Sequence, residues 1–478
     1  MKGKKSLLMG MLLAILLSLS GCGSVIKERP MEDISGITIE PDVSAPLEDG
    51  SVDETWRTTL YYPSADEELL VPVVREVVTT EGKSRAQAVL DALLEGTQTE
   101  EVFWPRTTGK TERMLEVSGG VATVSLPARL RVLEPQQLYA VRLAVAHTLC
   151  ELPEISYVNV LIGGREEGLD LGATMPVGTL SRMEDLEMLS RYNRMDDQRL
   201  SGAGFSRLTT LYLPSAADQM LLPTVRSVAY GKASPLDCLY TVLGELGKGA
   251  PTAANEIPAP MEYIEEMPDI VRTDDGNFRA IEIRFSGTLN DALEASGLTF
   301  ELYAAMLTDT LMGLVPGVDG VQLFVDGRKM GKIVTREDFA GKTGAPVVLY
   351  VPAEDAGRLK RVRRVLPENK QYDPRALLMK LSEEPDVLPA KLTEEDILAV
   401  RFEKNDVAVN FSGAFGDALY ALDAEAARTA VYAMVNTLTE GRSQQSVIFF
   451  FDGKQRGEMD GGLNLAGRLV RNPGMVEE

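Results

Sequence analysis

Basic charge, histidine and cysteine are all scarce in this chain. Only 49 Lys and Arg stand against 71 Asp and Glu, a formal net charge of −22 over 478 residues. A surface of that sign repels duplex phosphates, which excludes nucleic acid as a partner. The single histidine, His147, leaves almost no material for imidazole proton transfer. Three cysteines, Cys22, Cys150 and Cys238, are too few for a disulfide framework or a zinc cluster. Absent too are a Walker motif, a Gly-x-Ser-x-Gly elbow and a Gly-x-Gly-x-x-Gly after a strand. What remains, 44% apolar and 25% charged residues, is ordinary globular material, enough for two to four domains at roughly 100–200 residues each.

The N-terminus has the layout of a secretory signal: Lys2, Lys4 and Lys5, then an uncharged apolar run from Ser6 to Leu19. That run is shorter than the roughly 20 residues of a comfortable bilayer span. It ends in Leu19-Ser20-Gly21-Cys22, which resembles the lipobox of bacterial lipoproteins. The resemblance implies removal of residues 1–21 and a thioether-linked diacylglycerol on Cys22. Loss of the three lysines takes the body from −22 to −25. Anionic headgroups do not attract such a body, so the lipid must do the anchoring. Residues 22–56, with scattered proline and acid and no apolar period, are expected to be a flexible acidic tether.

Self-comparison is the richest signal. Leu60 to Val77 aligns without gaps on Leu211 to Val228, with 10 of 18 positions identical, and a fainter copy opens at Leu349-Tyr350-Val351-Pro352. A helix start follows each Leu-Tyr-x-Pro opening: Ser84-x-x-Gln87, Ser234-Pro235 and Asp373-Pro374. Gly96 and Gly247 are suited to end the first two helices. Turns then stand at Ser118-Gly119-Gly120, at Asp274 to Asn277 and at Glu403 to Asp406. The strands leaving them alternate, with Ala122, Val124 and Leu126 inward and Thr123 and Ser125 outward in the first copy. A second helix follows, then an apolar strand ending at Gly163-Gly164, Asp326-Gly327 or Asp452-Gly453. Those closing turns stand 103, 115 and 103 residues after the opening leucine.

The predicted fold is therefore α+β: three tandem small domains, each an antiparallel sheet with two helices packed on one face, in the order β-β-α-β-β-α-β. The expected spans are 57–165, 207–331 and 346–460, joined by linkers 166–206 and 332–345 and followed by a C-terminal tail, 461–478. The opening, the Leu-x-x-x-Val-Arg-x-Val strand, Phe285-Ser286-Gly287, Phe411-Ser412-Gly413 and the closing Phe324-Val325-Asp326-Gly327 resemble the GerMN domain of bacterial sporulation and germination lipoproteins. The resemblance implies a small α+β fold similar to the ring-building motifs of sporulation secretion complexes, without known catalytic residues. The first unit departs from it, with Leu126-Pro127-Ala128 and Gly163-Gly164 in place of Phe-Ser-Gly and Asp-Gly.

Other residues carry weaker signals. His147 and Cys150, three apart, could offer two metal ligands, but nothing completes the set; Cys150 and Cys238 read as small core residues. Glu265-Glu266, Glu383-Glu384 and Glu394-Glu395-Asp396 could hold an acid/base pair, yet none recurs between units. Arg75, Arg226 and Arg364 share one register, as a common ligand site or as framework. Trp56 and Trp104 could stack on a sugar or simply pack. The sum is a non-catalytic, cofactor-free scaffold on the outer face of the cytoplasmic membrane, held by the lipid on Cys22. Its expected partners are envelope proteins of a sporulation or germination complex, or peptidoglycan. A peptidoglycan hydrolase, or a regulator of one, and a solute-binding lipoprotein are the alternatives.

Overall fold

The computed structural model describes residues 54–478 except 80–82, 98, 100, 106–113, 184–185, 203, 250–256, 274–275, 277, 356, 404–405, 442–444 and 478. Cys22, the apolar leader and most of the tether lie outside the described residues, as does most of the Asp274 to Asn277 turn.

The first unit opens with a two-stranded ribbon, β1 (Glu54–Pro63) and β2 (Leu70–Thr79), followed by α1 (Arg85–Leu94). Next come β3 (Met114–Ser118), β4 (Val121–Leu126), α2 (Pro135–Leu149), β5 (Tyr157–Ile162) and β6 (Leu180–Ser181), which form a sheet in the order β3-β4-β5-β6. Helix α3 (Met188–Leu200) leads to the second unit. That unit runs β7 (Phe205–Ser215), β8 (Met220–Tyr230), α4 (Pro235–Leu246), a short α5 (Pro260–Tyr263), β9 (Ile264–Arg272) and β10 (Arg279–Phe285). It continues through α6 (Thr288–Ala295), α7 (Phe300–Met312), β11 (Gly320–Val325) and β12 (Arg328–Lys329). The third unit comprises β13 (Gly344–Pro352), β14 (Leu359–Pro367), α8 (Pro374–Ser382), β15 (Ile397–Glu403) and β16 (Asp406–Phe411). It ends with α9 (Gly413–Tyr420), α10 (Ala424–Thr439), β17 (Ser446–Phe451) and β18 (Leu469–Val470).

The helix starts follow from their caps. The Ser84 hydroxyl accepts from the Gln87 N–H at 3.1 Å, the Ser234 hydroxyl from Asp237 at 3.1 Å and the Asp373 carboxylate from Arg375 at 3.0 Å. Gly96 ends α1 with φ +80°, but α4 finds its left-handed residue at Gly249, two positions beyond Gly247. All three closing turns have positive φ at both central residues: +57° and +75° at Gly163-Gly164, +52° and +73° at Asp326-Gly327, +49° and +76° at Asp452-Gly453. Such turns suit the twist of the strands they join and accept glycine or aspartate first, so the first unit's Gly-Gly is a change of residue without a change of backbone.

The expected antiparallel sheet is corrected in two ways. The opening ribbon is a sheet of its own, and the four-stranded sheets are mixed, with β4 and β5, β10 and β11, and β16 and β17 each parallel. One helix separates the pair in the first unit, but α6 and α7 in the second and α9 and α10 in the third, so the expected two helices per unit hold only for the first; each helical crossover returns the chain in its original direction. The long helix then packs on the ribbon and on the sheet. Segments 166–206 and 461–478, expected as linker and tail, instead supply β6 and β18, which pair antiparallel with β5 and β17; in 332–345, Val334 bridges Val321. Each covers an edge that would otherwise expose unpaired backbone groups. Two-residue strands are too short to show a period in sequence.

The first two units share one continuous apolar core, from Leu60 to Phe339, and the third has its own, from Val347 to Met475. A buried ion pair marks the first junction. The Arg142 guanidinium lies 3.1 Å from the Glu166 carboxylate and donates to the Val160 carbonyl at 3.0 Å. The backbone of Glu166 reaches the second unit, donating to the Met312 carbonyl at 2.9 Å and accepting from Gly317 at 3.0 Å. Polar contacts join the third unit: Val117 donates to Glu368 at 2.8 Å, and the Ser118 hydroxyl to the Gly344 carbonyl at 2.5 Å. Removing one member of a buried pair strands the other, at about 3–5 kcal/mol. Arg142→Ala is expected to cost that much in denaturant unfolding, and Arg142→Met combined with Glu166→Leu to cost distinctly less; equal losses would contradict a stranded charge.

Candidate functional site

Register places one constellation in every unit. Tyr61, Tyr212 and Tyr350 sit in the first ribbon strands, and their N–H groups point away from the ribbon partner. Pro72 and Pro223, which have no N–H to exchange, stand opposite the first two. The acceptor in each case is a buried threonine on the long helix: Thr148 Oγ1 at 2.9 Å, Thr310 Oγ1 at 3.0 Å and Thr437 Oγ1 at 3.1 Å.

Around this anchor the side chains form a polar face. The Tyr61 hydroxyl donates to Glu151 at 2.8 Å, and the Tyr350 hydroxyl to Glu440 at 2.8 Å, both 90 residues on. An arginine from the segment closing each sheet completes the face. Arg182 pairs with Glu151 at 2.7 Å, and Arg471 pairs with Glu440 and donates to the Tyr350 hydroxyl. Arg336 donates to the Tyr212 hydroxyl at 3.0 Å. Arg336 and Arg471 follow their tyrosines by 124 and 121 residues, and Arg182 stands 121 after Tyr61. Burial, then the neighbouring glutamate, raises the Tyr61 and Tyr350 hydroxyls above their ordinary value, so both stay donors. A carboxylate and a guanidinium fixed side by side over a tyrosine suit polar recognition across an interface.

The three faces differ in cover. The arginine side chains are 53% exposed at Arg182 and 29% at Arg471, but only 3% at Arg336. What covers the second face is the outer side of the first unit's sheet. The Thr123 hydroxyl meets the Tyr212 hydroxyl at 2.7 Å, and the Glu116 carboxylate lies 3.7 Å from Arg336. In place of the glutamate the second unit has Gly313, where a Cβ would come within 3.1 Å of the Asn159 amide from the first unit. The outward face of the first sheet, expected to be wet, is thus buried against a neighbouring unit.

The candidate residues of the sequence fall into framework roles. His147 is buried, accepts from the Met183 N–H at 3.0 Å and lies with its ring 4.6 Å from that of Tyr61; burial and then the Arg182 charge lower its basicity. Burial pushes the Cys150 thiol up to about 11 and Cys238 to about 12. Arg75 donates to the carbonyls of Ala92 and Gly96 at 2.8 and 2.6 Å, Arg226 to those of Glu245 and Gly249, and Arg364 pairs with Glu384. The shared arginine therefore serves the C-terminal end of the helix behind its ribbon, where a cation is favoured. Trp104 packs edge-on against Tyr62 at 5.2 Å and rests on Gly96, and Arg85 covers Trp56 at 5.4 Å. Among the carboxylates, Glu266 pairs with Arg284, Glu383 with Lys380, and Asp396 accepts from Thr393 and Ser412. Sequence reading missed the threonines, glutamates and closing arginines; their equal spacing from the tyrosine in the first and third units, 87, 90 and 121 residues, was the signal available.

Two buried carboxyls lie at the junction of the first two units. Burial pushes Asp309 up to about 7 against the pull of Arg336, and Glu166 up to about 7 against that of Arg142. A raised native value means stability that is full below the usual carboxylate range and is lost as pH rises to about 7. Unfolding free energy is expected to fall between pH 5 and 7.5, and Asp309→Asn to remove up to about 1.4 kcal/mol per pH unit of that slope. Denaturant melts across this range check it; an unchanged slope would count against a protonated Asp309.

Residues 59–168 and 348–457 match the family model Germane, described as sporulation and spore germination. The chain is similar to the tandem GerMN domains of the sporulation protein GerM from Bacillus subtilis, at 17% identity over 57% of this chain and 99% of that one, TM-score 0.22. It is also similar to a candidate lipoprotein from Clostridium perfringens, at 14% identity over 28% of this chain and 93% of that one, TM-score 0.18. No curated protein matches the chain. The matched segments fall on the first and third units, the two that keep the tyrosine, glutamate and arginine together, and it is these two segments that are similar to the Germane family of sporulation and spore germination.

Proposed function

We propose that this protein is a non-catalytic scaffold of the bacterial envelope, acting in sporulation or germination through protein contacts of three GerMN-like domains. The domains take 57–165, 207–331 and 346–460 as their cores, each completed by the closing arginine segment beyond. The observation that carries the reading is the covered face of the second unit, where Tyr212 and Arg336 take up Thr123 and Glu116 of another unit. The chain itself thus supplies an example of what such a face binds: the outer side of a similar sheet. The equivalent faces at Tyr61, Glu151 and Arg182 and at Tyr350, Glu440 and Arg471 are left for envelope proteins. The leader and Cys22 support a diacylglycerol anchor on the outer face of the cytoplasmic membrane, and the acidic body supports lipid rather than charge as the means of attachment.

Arg182→Glu and Arg471→Glu sit on partly exposed side chains and reverse the charge beside each glutamate. Each is expected to weaken capture of envelope proteins from sporulating cells about tenfold or more while leaving the melting temperature near that of the wild type. Capture unaffected by both changes would remove these faces from the function. Release of muropeptides from purified peptidoglycan, dependent on one carboxylate, would replace the scaffold with the hydrolase. Cys22→Ala is expected to abolish labelling with radioactive palmitate; labelling that persists would refute the anchor.

A further inference from the structure

A second feature, independent of the docking faces, lies where the first unit meets α3. Arg191, Arg194 and Gln198 recur at helical spacing on α3 and line a cleft with Tyr139 of α2, Thr179 and Arg207 of β7. Three guanidinium groups converge there in a chain of net charge −22. Among the described residues none of the three has a carboxylate within 4.0 Å. Arg207 donates to the Gln198 side chain at 3.0 Å and to the Ser206 carbonyl at 2.9 Å, and Arg194 donates to the Ser190 hydroxyl at 2.8 Å. The nearby acids are engaged elsewhere: Asp196 and Asp170 face Arg199. The Tyr139 ring is buried at 1% exposure, and its hydroxyl has no hydrogen-bond partner among the described residues. Burial raises that hydroxyl above its ordinary value against the pull of the Arg191, Arg207, Arg194 and Arg142 charges, and Tyr139 lines the same cleft. The Arg207 Nε is likewise buried without a partner among the described residues.

Converging like charges are unfavourable, and a buried hydroxyl or guanidinium N–H without an acceptor costs free energy; an anion in the cleft relieves both. A single carboxylate would leave most of the positive charge uncompensated. A phosphoryl group carries up to two negative charges and three acceptor oxygens, enough to share among the guanidinium forks and the tyrosine. We propose that this cleft binds a terminal phosphoryl group, presented by a phosphomonoester lipid headgroup or by a soluble phosphate monoester.

The test is equilibrium dialysis of the full chain in detergent at low salt, with inorganic phosphate, glycerol phosphate and dihexanoyl phosphatidic acid, whose headgroup is a phosphomonoester, as probes and acetate as competitor. Wild type is expected to bind phosphate, and Arg191→Gln and Arg194→Gln each to bind about tenfold more weakly. Tyr139→Phe, which removes only the unpartnered hydroxyl, is expected to weaken binding while keeping the melting temperature. Preference for the short-chain lipid over glycerol phosphate assigns the headgroup as source, and equal binding assigns the soluble ester. Absence of phosphate binding by wild type, binding unchanged in both arginine variants, or displacement by equimolar acetate would overturn the proposal.

Discussion

A two-stranded ribbon leaves half of the N–H groups on each strand without a ladder partner, and this structure depends on how one of them is satisfied. The N–H of Tyr61, Tyr212 or Tyr350 is buried, so it requires an acceptor within the protein. A threonine hydroxyl on the long helix supplies it. A helix held to a ribbon at that point has one rotation and one height. Its opposite side then receives the parallel strand pair, and residues before and after the threonine take fixed places. His147, Asp309 and Asn436 precede it, and two of them meet the returning chain: His147 accepts from Met183 at 3.0 Å and Asn436 from Asn472 at 3.0 Å. Three residues beyond, Glu151 and Glu440 reach the tyrosine hydroxyl.

Divergence between the units is concentrated at the same place. The second unit keeps the threonine, the tyrosine and the closing arginine but replaces the glutamate with Gly313 and the histidine position with Asp309. These changes make room for the first unit's sheet, and the arginine finds Glu116 from that sheet in place of a glutamate of its own. The result is a polar junction, with Arg336, Asp309 and Tyr212 all buried, set into an otherwise apolar core that spans both units. Such groups stabilise less than apolar packing of equal volume would, and their retention fixes a specific register between the units.

How much of this was legible beforehand follows from the length of each signal. The repeat, the caps at Ser84, Ser234 and Asp373 and the closing turns are local patterns carried by neighbouring residues, and each was readable. The two-residue strands at Leu180–Ser181 and Leu469–Val470 were not, because no period fits in two residues, so the segments around them read as linker and tail. The parallel pairing escaped for a different reason. Alternation of apolar and polar residues reports which face of a strand is buried, not which way its neighbour runs.

By itself the sequence determined three copies of an α+β unit, the capped starts of the helix behind each ribbon, the closing turns, and a composition poor in the groups that chemistry at neutral pH needs. Repetition and short-range caps carry that information within a few residues of where it is used. Only the tertiary structure decided that Tyr61, Glu151 and Arg182, spread over 121 positions, form one face, and that the second copy of that face is closed by the first unit's sheet. Contacts at that separation depend on how the helix is turned against the ribbon, and the hydrogen bond that sets the turn joins residues 87 positions apart.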